Sequence, residues 1–385
     1  MLCLWPLKHL SIDPRGNFRP CCSWRHIDYA EHYKDSPVIN FNNSSVQDYF
    51  NSDYLKNIIE SMKKDQFPAG GCMDCQNDIA IGNQELSILN DGFLRYPNNN
   101  QIKLFDMEIK FGNLCNLGCV MCSAVASSLI EHENINNQDL FESHGIPFHS
   151  KKILNPGLQW YERSDKLKEL AEYASQCKHI RFTGGEPTIN SYLQKFLEYL
   201  SEINTKLTLK ITTNGHKISQ KLLSKLEEFD HVHFDFSIDG YGKVNEFIRW
   251  PSSFKNISDN IERCSKMSNT KISVKTTLHA MNVHDIPNIC NWVENNDYIN
   301  DWDINLVWDP IYLKPSLASD ESKELYVHYA KEHKHHKCEN VKYGLNALEN
   351  QFTPQETQMH RHTIDKYLEL LSKIRKLDWK DYIKI

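Results

Sequence analysis

Six short segments alternate strictly between apolar and polar residues: 103–111, 179–183, 206–213, 231–238, 271–279 and 303–308. In the first, Asp106, Glu108 and Lys110 oppose Phe105, Met107, Ile109 and Phe111. In the fourth, His233, Asp235, Ser237 and Asp239 oppose Val232, Phe234, Phe236 and Ile238. A period of two sends the two sets to opposite faces of one sheet. Helix-spaced stretches lie between them, over 123–134, 164–177, 189–203, 216–228, 254–268 and 284–296. Repeated strand–helix units imply right-handed crossovers and a parallel sheet. A parallel sheet covered on both faces reads as near-continuous apolar runs; here only one face calls for helices. The pattern predicts an α/β fold, a partial (β/α)6 TIM-like barrel with helices outside and a polar hollow inside, short of the eight units of a full barrel. A half-solvated antiparallel sheet is the competing reading, which the intervening helices disfavour. The hollow suits a polar substrate. His233, Asp235, Asp239, Lys275, His279, Asn305 and Asp309 are candidates to line it, each as readily a structural charge.

The flanks read differently. Residues 1–100 are rich in Asn, Pro and Gly, hold five cysteines and promise only short elements, an N-terminal appendage to the core at 101–310. Residues 311–385 read as a helical extension ending in an amphipathic stretch over 361–378. With 385 residues, 40% of them hydrophobic, the chain can bury a large core. A formal net charge of −6 gives no overall basic excess, so neither nucleic acid nor an anionic membrane is an expected partner. No apolar run reaches signal-peptide or membrane-spanning length, which predicts a cytoplasmic protein. Twelve cysteines in a reducing compartment point to metal or catalysis rather than disulfides.

Three of them follow the first predicted strand in FGNLCNLGCVMCS: Cys115, Cys119 and Cys122, spaced C-x3-C-x2-C. Iron–sulfur clusters are held by thiolates, usually four. Three from one loop leave one iron open to a ligand. The loop also sits at the carboxyl end of a strand, where parallel α/β folds place their active sites. Structural zinc is the competing reading, but Cys72/Cys75 and Cys119/Cys122 are too far apart for a zinc ribbon and leave Cys115 over.

This loop resembles the signature of the radical S-adenosylmethionine (SAM) superfamily, with Met121 at its hydrophobic position. Three further segments strengthen the likeness: Phe182-Thr183-Gly184-Gly185-Glu186-Pro187, Thr212-Thr213-Asn214-Gly215, and Ser237-Ile238-Asp239-Gly240 with Phe247-Ile248-Arg249. The resemblance spans roughly 103–310. It implies a [4Fe–4S] cluster on the three cysteines, with SAM chelated by the open iron and cleaved reductively to a 5′-deoxyadenosyl radical. By the same resemblance, Gly184, Gly185 and Glu186 meet the SAM amino group, with the Glu186 carboxylate facing the ammonium. Asn214, Ser237 and Arg249 meet its ribose and carboxylate.

A second pattern lies ahead of the core: Cys3, Gly16 and Cys21, then Cys72-Met-Asp-Cys75. It resembles the SPASM/twitch auxiliary-cluster module, which most members carry after the core. The resemblance implies one auxiliary [4Fe–4S] cluster on Cys3, Cys21, Cys72 and Cys75, with Cys22 an alternative to its neighbour. Cys177, Cys264 and Cys290 read as core packing, and Cys338 as the end of a solvated His-rich helix. The expected function is hydrogen abstraction from a peptide or protein side chain, leading to oxidation or cross-linking. Dehydrogenation of a small polyol or amino sugar is the alternative, and a binding protein with a degenerate SAM site the non-enzymatic one. Expected partners are SAM, a polar substrate, and an electron donor such as a flavodoxin or ferredoxin. No catalytic acid or base is singled out.

Overall fold

All six alternating segments form strands, and two more precede them. The structure, a computed structural model, describes residues 2–24, 38–68, 71–73, 75–76, 102–149, 151–152, 159–332, 336–349 and 351–384. β1 (His9–Ile12) and β2 (Phe18–Arg19) come from the N-terminal segment. β3 (Asp106–Ile109), β4 (His179–Phe182), β5 (Thr208–Thr213), β6 (His231–Ser237), β7 (Thr270–Leu278) and β8 (Asp301–Leu306) are the expected six. One sheet runs β2-β1-β3-β4-β5-β6-β7-β8. From β1 to β8 every neighbouring pair is parallel, and only β2 runs antiparallel, along one edge. The antiparallel alternative is therefore excluded. β2 and β8 do not pair, so the barrel stays open on that side.

Nine longer helices can be named among the described residues: α1 (Asp53–Lys63), α2 (Ser128–Asn136), α3 (Ser164–Ala174), α4 (Ser191–Ile203), α5 (Gln220–Leu226), α6 (Phe254–Ser265), α7 (Ile286–Glu294), α8 (Asp320–Glu332) and α9 (Pro354–Arg375). α4 shows why they form. Asn190 caps it by accepting from the Tyr192 amide, and Leu193, Phe196, Leu197 and Leu200 make one buried stripe. That stripe covers the apolar face of the sheet, with Phe196 edge-on to Phe182 at 5.9 Å between ring centres.

The N-terminal segment is more than an appendage. Its β1 adds a parallel strand to the barrel, Ser11 lying opposite Glu108. Its aromatic core runs on into the barrel's, from Tyr49 and Phe41 around Phe18, through Trp160, to Phe111. The expected boundary at 100/101 falls within residues 77–101, outside the described residues. Among the described residues no helix is long and apolar enough to cross a membrane.

Candidate active site

The loop after β3 carries Cys115, Cys119 and Cys122 and is pinned from several sides. The Cys115 amide donates to Ser128 Oγ at 3.1 Å, and Ser127 Oγ donates to the Leu117 carbonyl at 2.7 Å. The Gly118 and Val120 amides donate to the carbonyls of Trp250 and Ile248 at 2.6 and 2.9 Å. Helix α9 reaches in from the far end of the chain: Tyr367 Oη donates to the Val120 carbonyl at 2.8 Å, and Arg375 Nη2 to the Gly118 carbonyl at 2.6 Å. The three thiols fall together. Burial pushes Cys115 and Cys122 up to about 12, and each also feels the charge of Cys119. Met121 sits between them, half-buried against the core.

The Gly-Gly-Glu loop after β4 is joined to the cysteine loop. Gly184 and Gly185 have φ of +74° and +57°. A β-carbon on Gly185 would lie 2.4 Å from the Leu114 carbonyl oxygen, so only glycine fits. The Glu186 amide donates to that same carbonyl at 2.7 Å. The Glu186 carboxylate is only 1% exposed. Its Oε1 accepts from the Thr188 amide (3.0 Å), Thr188 Oγ1 (2.6 Å) and Thr213 Oγ1 (2.6 Å), and its Oε2 from the Asn214 amide (2.7 Å). The carboxylate accepts from four donors of the protein and ties β4 to β5.

Two further candidates lie beside the cysteine loop. Arg249 is 8% exposed and pairs with Asp239 at 2.5 Å, while its Nη1 approaches Cys119 Sγ at 3.6 Å. Asn214 donates through Nδ2 to Asn116 Oδ1 at 3.0 Å and so holds the cysteine loop from β5. Ser237 ends β6, half-buried.

At the other mouth a second set of thiols converges. Cys3 precedes β1, and Cys21 and Cys22 follow the antiparallel β2, which brings both to the amino ends of the strands. Burial pushes the Cys21 thiol up, and Cys22, Cys3, Cys72 and Cys75 add to the effect. Cys22 points elsewhere: apart from burial, it feels Glu108, Arg181 and Lys110 of the barrel interior. Among the described residues no three His, Cys, Asp or Glu side chains can share one metal ion. Mononuclear zinc requires such convergence on a point. Thiolates of a [4Fe–4S] cluster bind separate irons, so their sulfurs stand apart, and both sets fit that group.

Between the mouths lies the polar hollow. A cavity of about 340 Å³ is lined by His9, Asp106, Glu108, His179, Arg181, Thr208, Lys210 and His233, together with Trp5, Cys22 and Met107. Glu108 accepts from Ser11 Oγ (2.8 Å) and Thr183 Oγ1 (2.9 Å) and lies 3.6 Å from Lys110. Burial opposes its charge, yet Lys110, His9, Arg181 and Ser11 hold it down to about 2. Asp235 lies 3.1 Å from Lys210, 3.5 Å from His233 and 3.9 Å from Lys275, which also pairs with Asp303.

Comparison with known proteins agrees with this arrangement. Residues 109–293 match the radical SAM superfamily, and residues 3–76 an iron–sulfur cluster-binding domain, SPASM. The chain carries a radical SAM domain. The second match lies ahead of the first, as the N-terminal cysteines require. The two matched domains imply [4Fe–4S] clusters and SAM as cofactors. The Fe-coproporphyrin III synthase of Methanosarcina barkeri is 28% identical over 181 residues, 47% of this chain and 38% of that protein. The mycofactocin maturase MftC of Mycolicibacterium smegmatis is 27% identical over 170 residues, 44% and 36% of the two chains. The alignments thus span under two-fifths of these relatives' length. Among solved structures, anSMEcpe with bound AdoMet superposes with a TM-score of 0.42 at 17% identity, covering 59% of this chain and 58% of that one.

His279 is fully buried, its Nδ1 accepting from the Met281 amide at 3.3 Å. Cys177, Cys264 and Cys290 are core residues. Cys338 is buried too, its Sγ 3.9 Å from the Cys290 carbonyl oxygen, rather than lying at a solvated end. Sequence reasoning missed Tyr367, Arg375 and Glu133, which no local motif marks.

Proposed function

We propose that the protein cleaves SAM reductively at Cys115, Cys119 and Cys122 and abstracts hydrogen from a peptide or protein side chain held in the barrel. The observation that carries this reading is the placement of two thiol sets at opposite mouths of one polar hollow. A [4Fe–4S] cluster with SAM on its open iron would supply the 5′-deoxyadenosyl radical, and an auxiliary cluster on Cys3, Cys21, Cys72 and Cys75 a second one-electron centre. A flavodoxin or ferredoxin would supply the electron.

The protein's own residues do the positioning. Arg249 lies against Cys119 and favours its thiolate form, while Asp239 fixes the guanidinium. The Glu186 carboxylate locks the Gly184–Gly185 turn onto the cysteine loop, so the backbone of that turn is the group left to meet the SAM ammonium. A seven-residue strand such as β6 is roughly 20 Å long, so substrate between the mouths can face both centres.

Deuterium transfer tests the substrate class. Reconstituted protein is given SAM, reductant and a perdeuterated peptide pool, and 5′-deoxyadenosine is analysed by mass. The reading expects deuterium in that product. Deuterium arriving only from a perdeuterated small-molecule fraction overturns the peptide assignment.

A further inference from the structure

One charge in the hollow stands apart. Lys110, Lys210 and Lys275 each lie beside a carboxylate, and Asp106 beside His179 at 2.8 Å. Arg181 on β4 makes no ion pair or hydrogen bond among the described residues, although it is half-buried and lines the cavity. The register worsens its position. Glu108, Arg181, Lys210 and His233 form one row across β3 to β6, which sets two cations directly opposite each other on adjacent strands. Like charges so placed are destabilising. Glu108, on the other side, is already taken by Lys110, Ser11 and Thr183.

A guanidinium with no close ion pair or hydrogen bond among the described residues, in a walled cavity next to a lysine, is a receptor for an anion. We propose that Arg181, supported by Lys210, receives a carboxylate of the substrate at the foot of the barrel, beside Cys22. This deepens the peptide reading above and rests on it. The planar fork of Arg181 matches a carboxylate with two parallel hydrogen bonds, and an anion between the two cations removes their repulsion. The row takes the third residue of each strand from β3 to β6, and Cys22 lines the same cavity. A substrate held there by an acidic residue has the rest of its length free to extend toward the loop of Cys115.

The test uses the anaerobically purified full chain without SAM or reductant, so its outcome is separate from that of SAM cleavage. The thermal midpoint is followed as acetyl-Ala-Glu-Ala-amide, acetyl-Ala-Gln-Ala-amide or inorganic phosphate is added, with sodium chloride adjusted to hold the ionic strength constant. The glutamyl peptide is expected to raise the midpoint and the glutaminyl peptide not to. Arg181→Gln should weaken the response about ten-fold or more, and Arg181→Lys, which keeps the charge but loses the fork, several-fold. If Arg181→Gln does not fold, Arg181→Lys alone decides. Equal responses to the two peptides, a response to phosphate only, or an undiminished response in the lysine variant overturns the proposal.

Discussion

Gly185 lies directly on the Leu114 carbonyl, the point where the turn after β4 touches the cysteine loop after β3. Its φ of +57° adds a second reason for glycine. Gly185→Ala should therefore cost about 1–3 kcal/mol of stability and move the cysteine loop. Denaturant unfolding measures the first, and a changed electron paramagnetic resonance spectrum of the reduced cluster with SAM the second. A variant with wild-type stability and spectrum would show that the contact does not matter.

Arg375 supports the same loop from the C-terminal helix. It is buried, pairs with Glu133 at 3.1 Å and donates to Gly118. Removing one member of such a pair strands the other, at about 3–5 kcal/mol. Arg375→Ala should lower the denaturation midpoint strongly and release iron faster to a chelator, while Tyr367→Phe, losing one hydrogen bond to Val120, costs about 1 kcal/mol. Iron loss at the wild-type rate in Arg375→Ala would contradict this.

Cys21 and Cys22 separate by direction. Cys21 joins Cys3, Cys72 and Cys75, whereas Cys22 faces the hollow. Cys21→Ser should bring iron down from about eight to about four per chain, and Cys22→Ser should leave it near eight. Iron analysis after anaerobic reconstitution decides between them, and the reverse result would exchange their roles.

Acid sensitivity should begin above the carboxylate range. Burial, with Arg249 and His284 nearby, lowers His279 to about 3, so it stays neutral in the folded protein. An unfolded histidine takes its proton near 6.5. Its stabilising contribution is therefore complete above about pH 6.5 and is lost as pH falls toward 3. Glu108, held down to about 2, contributes fully above its unfolded value near 4.3 and loses that contribution only as pH falls toward 2. The urea midpoint should fall between pH 6.5 and 5, and fall less in His279→Asn, whose Oδ1 can replace Nδ1 as acceptor for Met281. Equal slopes in the two proteins would remove His279 as the cause.

Much of this was legible in the chain because parity is local. The alternation of Asp106, Glu108 and Lys110 with Met107 and Ile109 gave both the strand and the hollow, and the three cysteines needed only their spacing. β1 was not read as a barrel strand, because His9–Ile12 alternates over only four residues, too few to tell a barrel strand from a local hairpin. The protein-side partners of Glu186 and Arg249 were not legible, for another reason. Which donor a buried charge meets depends on Thr213 and Asp239, on other strands. Arg375 lies 257 residues from Gly118, a separation no sequence window spans.

The central claim is that the Cys115, Cys119 and Cys122 loop supports reductive cleavage of SAM. Reconstituted protein incubated anaerobically with SAM and dithionite should release 5′-deoxyadenosine and methionine, and Cys115→Ala, Cys119→Ala and Cys122→Ala variants should release neither. Fully iron-loaded wild-type protein that yields no 5′-deoxyadenosine would contradict the account.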